Sequence, residues 1–259
     1  MTQLAFLGAG RMATAMVRGL LKSNVYTPHE ISCTSAKNNS AQRLSTETGI
    51  KTVQDSEALI QSADIIILAF KPKNLPDFTA TFATKSTPPL VISILGGTSL
   101  AVLKQQLRGP HELVRIMPNI PCEVGAGFTP YTPEKPLSET NATRLVKLLN
   151  ALGRSIETSE ADLERATRVT GCGPAYFYEL TDALAKAGEA SGLSTKMAQA
   201  FAQATFMGSA RLLEASGREP RTLRDEVASP GGITEKMLGI MNDAHFRNLI
   251  EKLVTTPHN

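Results

Sequence analysis

The order of apolar and polar residues changes once along the chain, near residue 157. Up to that point, short apolar runs alternate with stretches of helical periodicity, whereas only helical periodicity follows it. Alternating strands and helices are typical of an α/β fold with a parallel sheet. The pattern therefore predicts two domains, an α/β domain at residues 1–157 and an all-helical domain at residues 158–259.

Four apolar runs mark the main predicted strands. They are LAFL at 4–7, DIIILAF at 64–70, LVISI at 90–94 and LVRIM at 113–117. An uninterrupted apolar run is typical of a parallel strand that is buried on both faces. Shorter strands are predicted at 30–34, 50–53, 128–131 and 155–157, and helices between them at 39–48, 55–61 and 138–152.

Three of these strands end in residues that stop a strand, namely Lys71-Pro72, Gly96-Gly97 and Pro118-Asn119. Parallel strands bring such ends to one edge of the sheet, and open α/β sheets bind ligands at that edge. Each break taken alone is also ordinary turn chemistry. Together they predict the rim of a ligand site.

The first strand runs directly into Gly8-Ala9-Gly10-Arg11-Met12-Ala13, after which residues 14–21 have helical periodicity. Strand, G-x-G-x-x-A and helix in this order are the context of a dinucleotide-binding turn. There Gly8 permits the tight turn, Gly10 lets the backbone approach a pyrophosphate, and Ala13 keeps the helix close to its strand. The helix N-terminus offers amide groups and a partial positive charge to the phosphates. The alternative is an ordinary strand-to-helix turn.

The residues after the second predicted strand bear on the type of dinucleotide. NAD-specific sites carry Asp or Glu about 20 residues past the glycines, where the carboxylate accepts from the ribose 2′-hydroxyl. Residues 34–39 read TSAKNN and contain no carboxylate. The hydroxyl of Ser35 and the ammonium of Lys37 instead suit the 2′-phosphate of NADP. The sequence therefore favours NADPH over NADH, and the alternative is a polar loop with a chance lysine.

Composition and charge narrow the class of protein. The net charge of +3 is small and no Lys/Arg block concentrates it, which argues against a nucleic-acid partner. Cys33, Cys122 and Cys172 are far apart and odd in number, and the histidines lack metal-ligand spacing; this favours a reducing compartment and excludes zinc. The longest apolar run, 65–70, is too short for a membrane span, and a strand at Leu4 leaves no room for a signal peptide. We expect a soluble, cytoplasmic protein with no bound metal.

The helical half contains a helix that is apolar almost all round. Between Met197 and Leu213, Phe201, Phe206 and Met207 are joined by many alanines, so the apolar positions exceed one helical stripe. Such a helix is buried, yet a helical domain of this size offers few neighbours to cover it. The pattern predicts a homo-oligomer, at least a dimer through the C-terminal helices. The alternative is a central helix buried within one protomer.

No spacing of a Ser-His-Asp triad, a zinc protease or a P-loop occurs in the chain. A nicotinamide site beside a helical domain makes hydride transfer the expected reaction. The segment Ser229-Pro230-Gly231-Gly232-Ile233-Thr234 precedes a predicted helix at 235–241. Its two hydroxyls and free amide groups predict a cradle for a substrate carboxylate. A capped helix start with a glycine turn is the equally simple alternative.

Several motifs give the whole chain a resemblance to the pyrroline-5-carboxylate reductase family, which catalyses the last step of proline biosynthesis. They occur in the family's order and spacing, and the last is highly specific. The motifs are GAGRMA at 8–13, LAFKP at 68–72, RIMPNIP at 115–121, GCGPAY at 171–176 and LRDEVASPGG at 223–232.

The resemblance implies a Rossmann domain followed by a helical dimerisation domain, with NADPH, sometimes NADH, as hydride donor. It places Ser229, Ile233 and Thr234 around the substrate carboxylate, and Gly231 and Gly232 complete the predicted substrate-binding residues. Because the cyclic imine substrate is itself basic, no strong protein acid is required, so the candidate catalytic residues Ser229 and Thr234 are assigned to positioning and no general acid is named. By position it assigns the cofactor contacts to Gly8, Ala9, Gly10, Arg11, Met12, Ala13, Ser35, Ala69, Lys71, Pro72, Gly96 and Asn119.

The chain departs from the family pattern at a few positions. Arg11 stands where the family usually has asparagine, and Cys172 stands where it usually has serine. Leu95-Gly96 replaces a pair of alanines, and Glu226 replaces a residue with an amide side chain. Two other functions stay open on the residues alone. A β-hydroxyacid dehydrogenase-like NADP-dependent reductase shares the two-domain plan but has a catalytic lysine where this chain has Tyr176-Phe177-Tyr178. A non-enzymatic NADPH-binding regulator needs no carboxylate cradle.

Overall fold

The computed structural model describes residues 2–35, 39–78, 81–82 and 87–256. These residues divide into two compact units, Met1–Pro174 and Ala175–Asn259. The first unit contains every described strand, and the second is helical. An α/β region followed by a helical region is the predicted fold class, which is therefore confirmed.

The first unit is built on a single twisted sheet with the strand order β3-β2-β1-β4-β5-β6-β7-β8. Neighbouring strands are parallel throughout the described sheet except β6 and β7, which run antiparallel. The strand bounds are β1 Leu4–Leu7, β2 Ile31–Thr34, β3 Lys51–Thr52, β4 Ile65–Leu68, β5 Leu90–Ser93, β6 Glu112–Ile116, β7 Gly127–Pro133 and β8 Gly153–Glu157.

Helices cover both faces of this sheet and enclose two apolar cores. Phe6 and Ile67 of the central strands pack with Met16 and Leu148 on one face, and Leu7 and Ile66 pack with Leu59 and Leu103 on the other. Alternate residues of β1 and β4 thus enter opposite cores, as expected for parallel strands buried on both faces. The helices are α1 Arg11–Lys22, α2 Ser40–Thr48, α3 Ser56–Ser62, α4 Leu100–Gln106, α5 Glu139–Leu152 and α6 Glu160–Ala166.

The observed elements follow the sequence prediction closely in this unit. Each of the eight predicted strands is present, with its ends within two residues of the predicted ends. The helix α4, of seven residues, was not predicted. The antiparallel direction of β7 was not predicted either, since an apolar run does not reveal the direction of pairing.

The second unit consists of helices joined by short turns. A π-helical turn at Thr167–Gly171 precedes α7. The helix bounds are α7 Gly173–Ala190, α8 Thr195–Ser216, α9 Pro220–Val227, α10 Ile233–Asp243 and α11 Phe246–Thr255. In α7 and α8, Phe177 contacts Phe206 with ring centroids 5.5 Å apart, and Ala198 and Ala202 are buried.

The apolar helix α8 is largely exposed in the single chain. Phe201 is 53% exposed and Met207 is 52% exposed, while only alanines of this helix are buried. Burial within one protomer therefore does not explain the apolar surface of α8. Large apolar patches of this kind mark interaction surfaces in soluble proteins.

The boundary between the compact units differs from the predicted boundary at residue 157. The last strand ends at Glu157, but α6 and the π-helical turn pack with the first unit. The reason is polar: Glu160 of α6 binds Arg115 of the sheet, and the carbonyl of Thr170 accepts from Asn119. A change in secondary structure therefore precedes the change in packing.

Candidate functional site

The turn between β1 and α1 requires glycine at its first position. Gly8 has φ of 121°, and a Cβ placed on it would lie 2.4 Å from the carbonyl oxygen of Ala69. Its amide donates to the carbonyl of Thr34 at 2.9 Å. The turn is therefore wedged between the carboxyl ends of β2 and β4, where a Rossmann-type sheet binds its dinucleotide.

The N-terminus of α1 is open to an anion. Its N-cap is Gly10, no side chain caps it, and its first turn contains no acidic residue. In the part of the chain that the structure describes, the amides of Arg11, Met12 and Ala13 have no acceptor, and nothing lies within 4 Å of a Cβ built on Gly10. Free amides and open space at a helix N-terminus fit the phosphates of a dinucleotide.

The remaining predicted cofactor residues follow the ends of neighbouring strands. Ser35 follows β2, Ala69 and exposed Lys71 follow β4, and exposed Gly96 follows β5. Pro72 begins a short 3-10 turn after Lys71. Lys37 lies outside the described residues, so its predicted contact stays a prediction.

Asn119 is buried, and its amide bonds to other parts of the first unit. Its Oδ1 accepts from the amide of Phe128 at 2.9 Å, and its Nδ2 donates to the carbonyl of Thr170 at 3.0 Å. These contacts hold the loop after β6 against β7 and the π-helical turn. The side chain of Asn119 thus fixes the backbone at this part of the rim. A direct contact of this residue with the cofactor remains a prediction.

Arg115, a buried arginine near the end of β6, stabilises the same rim. Its role was not predicted from the sequence. Arg115 of β6 is 1% exposed and forms ion pairs with Glu160, at 2.5 Å, and with Glu164. The Glu160 carboxylate also accepts from the amide of Leu100 at the start of α4, at 2.7 Å. The sequence feature that could have revealed this ion pair is the arginine within an otherwise apolar strand, because a buried charge needs a partner of opposite charge.

The predicted substrate segment also forms a glycine turn followed by a helix. Gly231 has φ of 75°, and a Cβ on Gly232 would lie 2.9 Å from the carbonyl oxygen of Ser229. The amide of Gly232 donates to that same oxygen at 2.9 Å. Both glycines are therefore needed to fold residues 229–232 back onto the N-terminus of α10.

The first turn of α10 presents free donors beside two hydroxyls. Its N-cap is Gly232, with no side-chain cap. Among the described residues, the amides of Ile233, Thr234 and Glu235 have no acceptor, and the hydroxyls of Ser229 and Thr234 make no hydrogen bond. We call these donors, at residues 229–235, the carboxylate cradle. The geometry suits a carboxylate, whose charge the helix dipole stabilises.

Two buried cysteines of the first unit, Cys33 and Cys122, are unsuited to act as nucleophiles at neutral pH. Burial raises the pKa of the Cys33 thiol to about 11 and that of the Cys122 thiol to about 12, so both remain protonated. Across the described ranges, no group of three or more His, Cys, Asp or Glu side chains is placed to hold a metal ion. Nor does any helix in those ranges have the length and hydropathy to cross a membrane.

Comparison with known proteins agrees with the dinucleotide turn and the helical second unit. Residues 3–97 match the family described as NADP oxidoreductase, coenzyme F420-dependent, and residues 160–258 match the family described as pyrroline-5-carboxylate reductase dimerisation. The fold and the open helix terminus thus define an NADP-dependent oxidoreductase.

Individual relatives identify the family more narrowly than these two matches do. Pyrroline-5-carboxylate reductase 2 of Bacillus subtilis is 32% identical over 96% of this chain and 90% of its own length. The Arabidopsis thaliana reductase is 31% identical over 95% of this chain and 89% of its own. This chain belongs to the pyrroline-5-carboxylate reductase family, as the motifs predict.

Solved structures give the same result. The Coxiella burnetii pyrroline-5-carboxylate reductase has a TM-score of 0.82 and 29% identity, with 98% of this chain and 95% of that chain covered. The Plasmodium falciparum enzyme, solved with NADP bound, has a TM-score of 0.85 and 28% identity, with 98% and 94% covered. The family relation favours the reductase over the dehydrogenase and regulator alternatives.

The brace around Arg115 yields a stability prediction. We expect Glu160→Gln to lower the free energy of unfolding by about 1–3 kcal/mol, because it weakens two hydrogen bonds of a charged group beside a buried guanidinium. Asp162→Asn on the same helix is the control, since Asp162 bonds only with exposed Ser159 and Arg165. Urea unfolding measures both variants. Equal losses of stability in the two variants would show that the contacts of Glu160 with Arg115 and Leu100 stabilise the fold no more than an exposed carboxylate does.

Proposed function

We propose that this protein reduces 1-pyrroline-5-carboxylate to L-proline with hydride from NADPH, the last step of proline biosynthesis. The observation that carries the proposal is a pair of helix N-termini, at α1 and α10, that each have a glycine N-cap, no side-chain cap and first-turn amides without an acceptor, in a chain related to reductases over almost its whole length. One terminus fits the phosphates of a dinucleotide and the other fits a carboxylate. These are the anions that the two reactants carry.

The reaction does not require a strong acid or base from the protein. The substrate is a basic cyclic imine, which becomes an electrophilic iminium when its nitrogen takes a proton from water. When bound, NADPH supplies the hydride that adds to the ring carbon of the C=N bond. The products are L-proline and NADP⁺. Because the imine is itself basic, orientation and proximity are the main contribution of the enzyme.

The α1 turn holds the cofactor in this proposal. The amides of residues 11–13 bind the pyrophosphate, Arg11 adds a charge at the helix start, and Ser35 with Lys37 binds the 2′-phosphate. Residues Ala69 to Pro72, Gly96 and Asn119 complete the rim. Support comes from the free amides of α1 and from the Plasmodium falciparum relative solved with NADP.

The carboxylate cradle holds the substrate. Thr234 and Ser229 donate hydroxyl hydrogen bonds, and the backbone amides at the start of α10, which the turn at Gly231 and Gly232 brings into place, donate the remaining hydrogen bonds to the carboxylate, with Ile233 against the ring. Ser229 and Thr234 position the substrate rather than transfer a proton. The three amides without an acceptor at the start of α10 support this role.

A two-part assay separates this function from the alternatives. NADPH absorbance is followed with 1-pyrroline-5-carboxylate, and NADP reduction is followed with 3-hydroxy acids. We expect turnover in the first reaction only. Turnover of 3-hydroxy acids would identify a dehydrogenase, and cofactor binding without turnover in either reaction would identify a regulator.

Assembly and location complete the proposal. The exposed apolar residues of α7 and α8 and the match to a dimerisation family support a homo-oligomer, at least a dimer through these helices. No role for nucleic acid or a membrane surface is proposed. We infer a cytoplasmic location from the three cysteines, which are free thiols.

The cofactor preference is testable at the end of β2. We expect the double change Ser35→Ala with Lys37→Asp to reverse the preference from NADPH to NADH, because it removes phosphate contacts and adds charge repulsion. The measurement is kcat/KM for each cofactor at fixed substrate. Unchanged selectivity would show that another loop reads the 2′-phosphate.

The cradle predicts a substrate-specific defect. We expect Thr234→Ala to lower kcat/KM for 1-pyrroline-5-carboxylate about 10- to 150-fold, the worth of one hydrogen bond to a charged group. Affinity for NADPH should hardly change, and Thr234→Ser should restore most of the activity. Weaker NADPH binding with an unchanged substrate KM would instead assign the cradle to the cofactor.

The apolar helix predicts the assembly. We expect Phe201→Glu to break the oligomer or the fold, since a buried unpaired charge costs about 3–5 kcal/mol. Thr195→Glu introduces the same charge at the N-terminus of α8, where the helix dipole tolerates it, and serves as control. Sedimentation measures both variants. A monomeric wild-type protein at micromolar concentration would contradict the prediction.

A further inference from the structure

A carboxylate of the chain itself already lies at the carboxylate cradle. The Oε2 atom of Glu235 accepts a hydrogen bond from the amide of Gly231 at 2.7 Å. Glu235 is the third residue of α10, and Gly231 precedes the N-cap Gly232. The contact therefore bends the Glu235 side chain back across the helix start, towards the donors that the proposed function assigns to the substrate.

Glu235 has no cation to neutralise it. Among the described residues it forms no ion pair. Of the three arginines in the preceding segment, Arg218 binds Glu226 and Arg224 binds Asp225, and the described contacts include no ion pair between Arg221 and Glu235. A second carboxylate that enters the cradle therefore meets an unneutralised negative charge.

The cradle cannot serve both carboxylates at once. One amide hydrogen satisfies one acceptor in good geometry, and two carboxylates at hydrogen-bond distance from neighbouring donors repel each other. A substrate carboxylate that uses the Gly231 amide must displace Glu235. A carboxylate that uses only the donors of Ile233 and Thr234 still gains when Glu235 swings away.

We propose that Glu235 is an internal competitor for the substrate carboxylate: in the free enzyme its carboxylate holds the Gly231 amide beside the cradle donors, and it leaves when substrate binds. This inference rests on the proposed function, and it adds a residue that sets substrate affinity. A side chain that must be displaced raises the substrate KM and leaves kcat at saturation unchanged, because the displaced state is the reacting state.

A purely structural role makes a different prediction. A glutamate at the third position of a helix commonly bonds back to an amide at the helix start and stabilises the helix. If that were its only role, removing it would lower thermal stability and leave ligand affinity alone. The two roles are therefore separated by affinity and not by stability.

The experiment compares Glu235→Ala and Glu235→Gln with wild type and with Glu251→Gln, which removes the same charge from exposed α11. We expect Glu235→Ala to lower the KM for 1-pyrroline-5-carboxylate about 2- to 10-fold, the worth of one ordinary hydrogen bond. Glu235→Gln should fall between Ala and wild type, because its amide oxygen is a weaker acceptor. The KM for NADPH should match wild type in all variants, and Glu251→Gln should also match wild type in kcat and in the KM for 1-pyrroline-5-carboxylate.

A binding measurement without turnover accompanies the kinetics. Calorimetric titration with cyclopentanecarboxylate, a carboxylate of similar ring size that lacks the imine, should show the same 2- to 10-fold gain in affinity for Glu235→Ala. Glu251→Gln should bind it as wild type does. This probe reports on the cradle even if the substrate has been chosen wrongly.

The outcomes distinguish the two claims. If wild type fails to reduce 1-pyrroline-5-carboxylate, the proposed function fails, and the titration alone decides on Glu235. If wild type is active but the KM and the carboxylate affinity are unchanged in both variants, Glu235 is only a helix cap and the inference is overturned. A higher KM in Glu235→Ala, or no carboxylate binding by wild type, overturns it as well.

Discussion

The amides in the first turn of a helix have no acceptor within the helix, and this constraint organises both candidate sites. Among the described helices, five meet it with a side-chain cap, from Asp55, Ser99, Ser138, Ser159 and Ser194. The helices α2, α9 and α11 also lack a side-chain cap, but their N-cap residues carry side chains, whereas α1 and α10 each start at a glycine N-cap. Leaving donors open costs stability in the free protein, and an anionic ligand restores it.

The rest of the first unit serves to fix one of these open termini. Parallel strands buried on both faces hold β1 and β4 in register, and Gly8 lets their ends approach more closely than any side chain would permit. Arg115 then joins β6 to α6 and, through Glu160, to the start of α4. A buried ion pair of this kind contributes little net stability but is costly to break, so it favours one arrangement of the rim.

The sequence predicts what depends on local pattern. The strands, the glycine turn and the cradle were predictable because each is encoded by neighbouring residues with a required conformation, such as Gly8 and Gly231. The contacts of Arg115, Asn119 and Glu235 were not, because each joins residues that only folding or a particular rotamer brings together. The packing of residues 158–174 with the first unit depends on contacts of the same kind, since Glu160 and Thr170 bind residues more than 40 positions away.

Amide chemical shifts measured by transverse-relaxation-optimised NMR test most directly whether two open helix termini bind two different anions. Addition of NADP⁺ should shift the amide signals of Arg11, Met12 and Ala13, and addition of cyclopentanecarboxylate should shift those of Ile233, Thr234 and Glu235. When each ligand is added alone to the free protein, the amide signals of the other helix start should remain largely unshifted. Shifts of residues 11–13 by the carboxylate, with none at residues 233–235, would contradict the assignment of the substrate to α10.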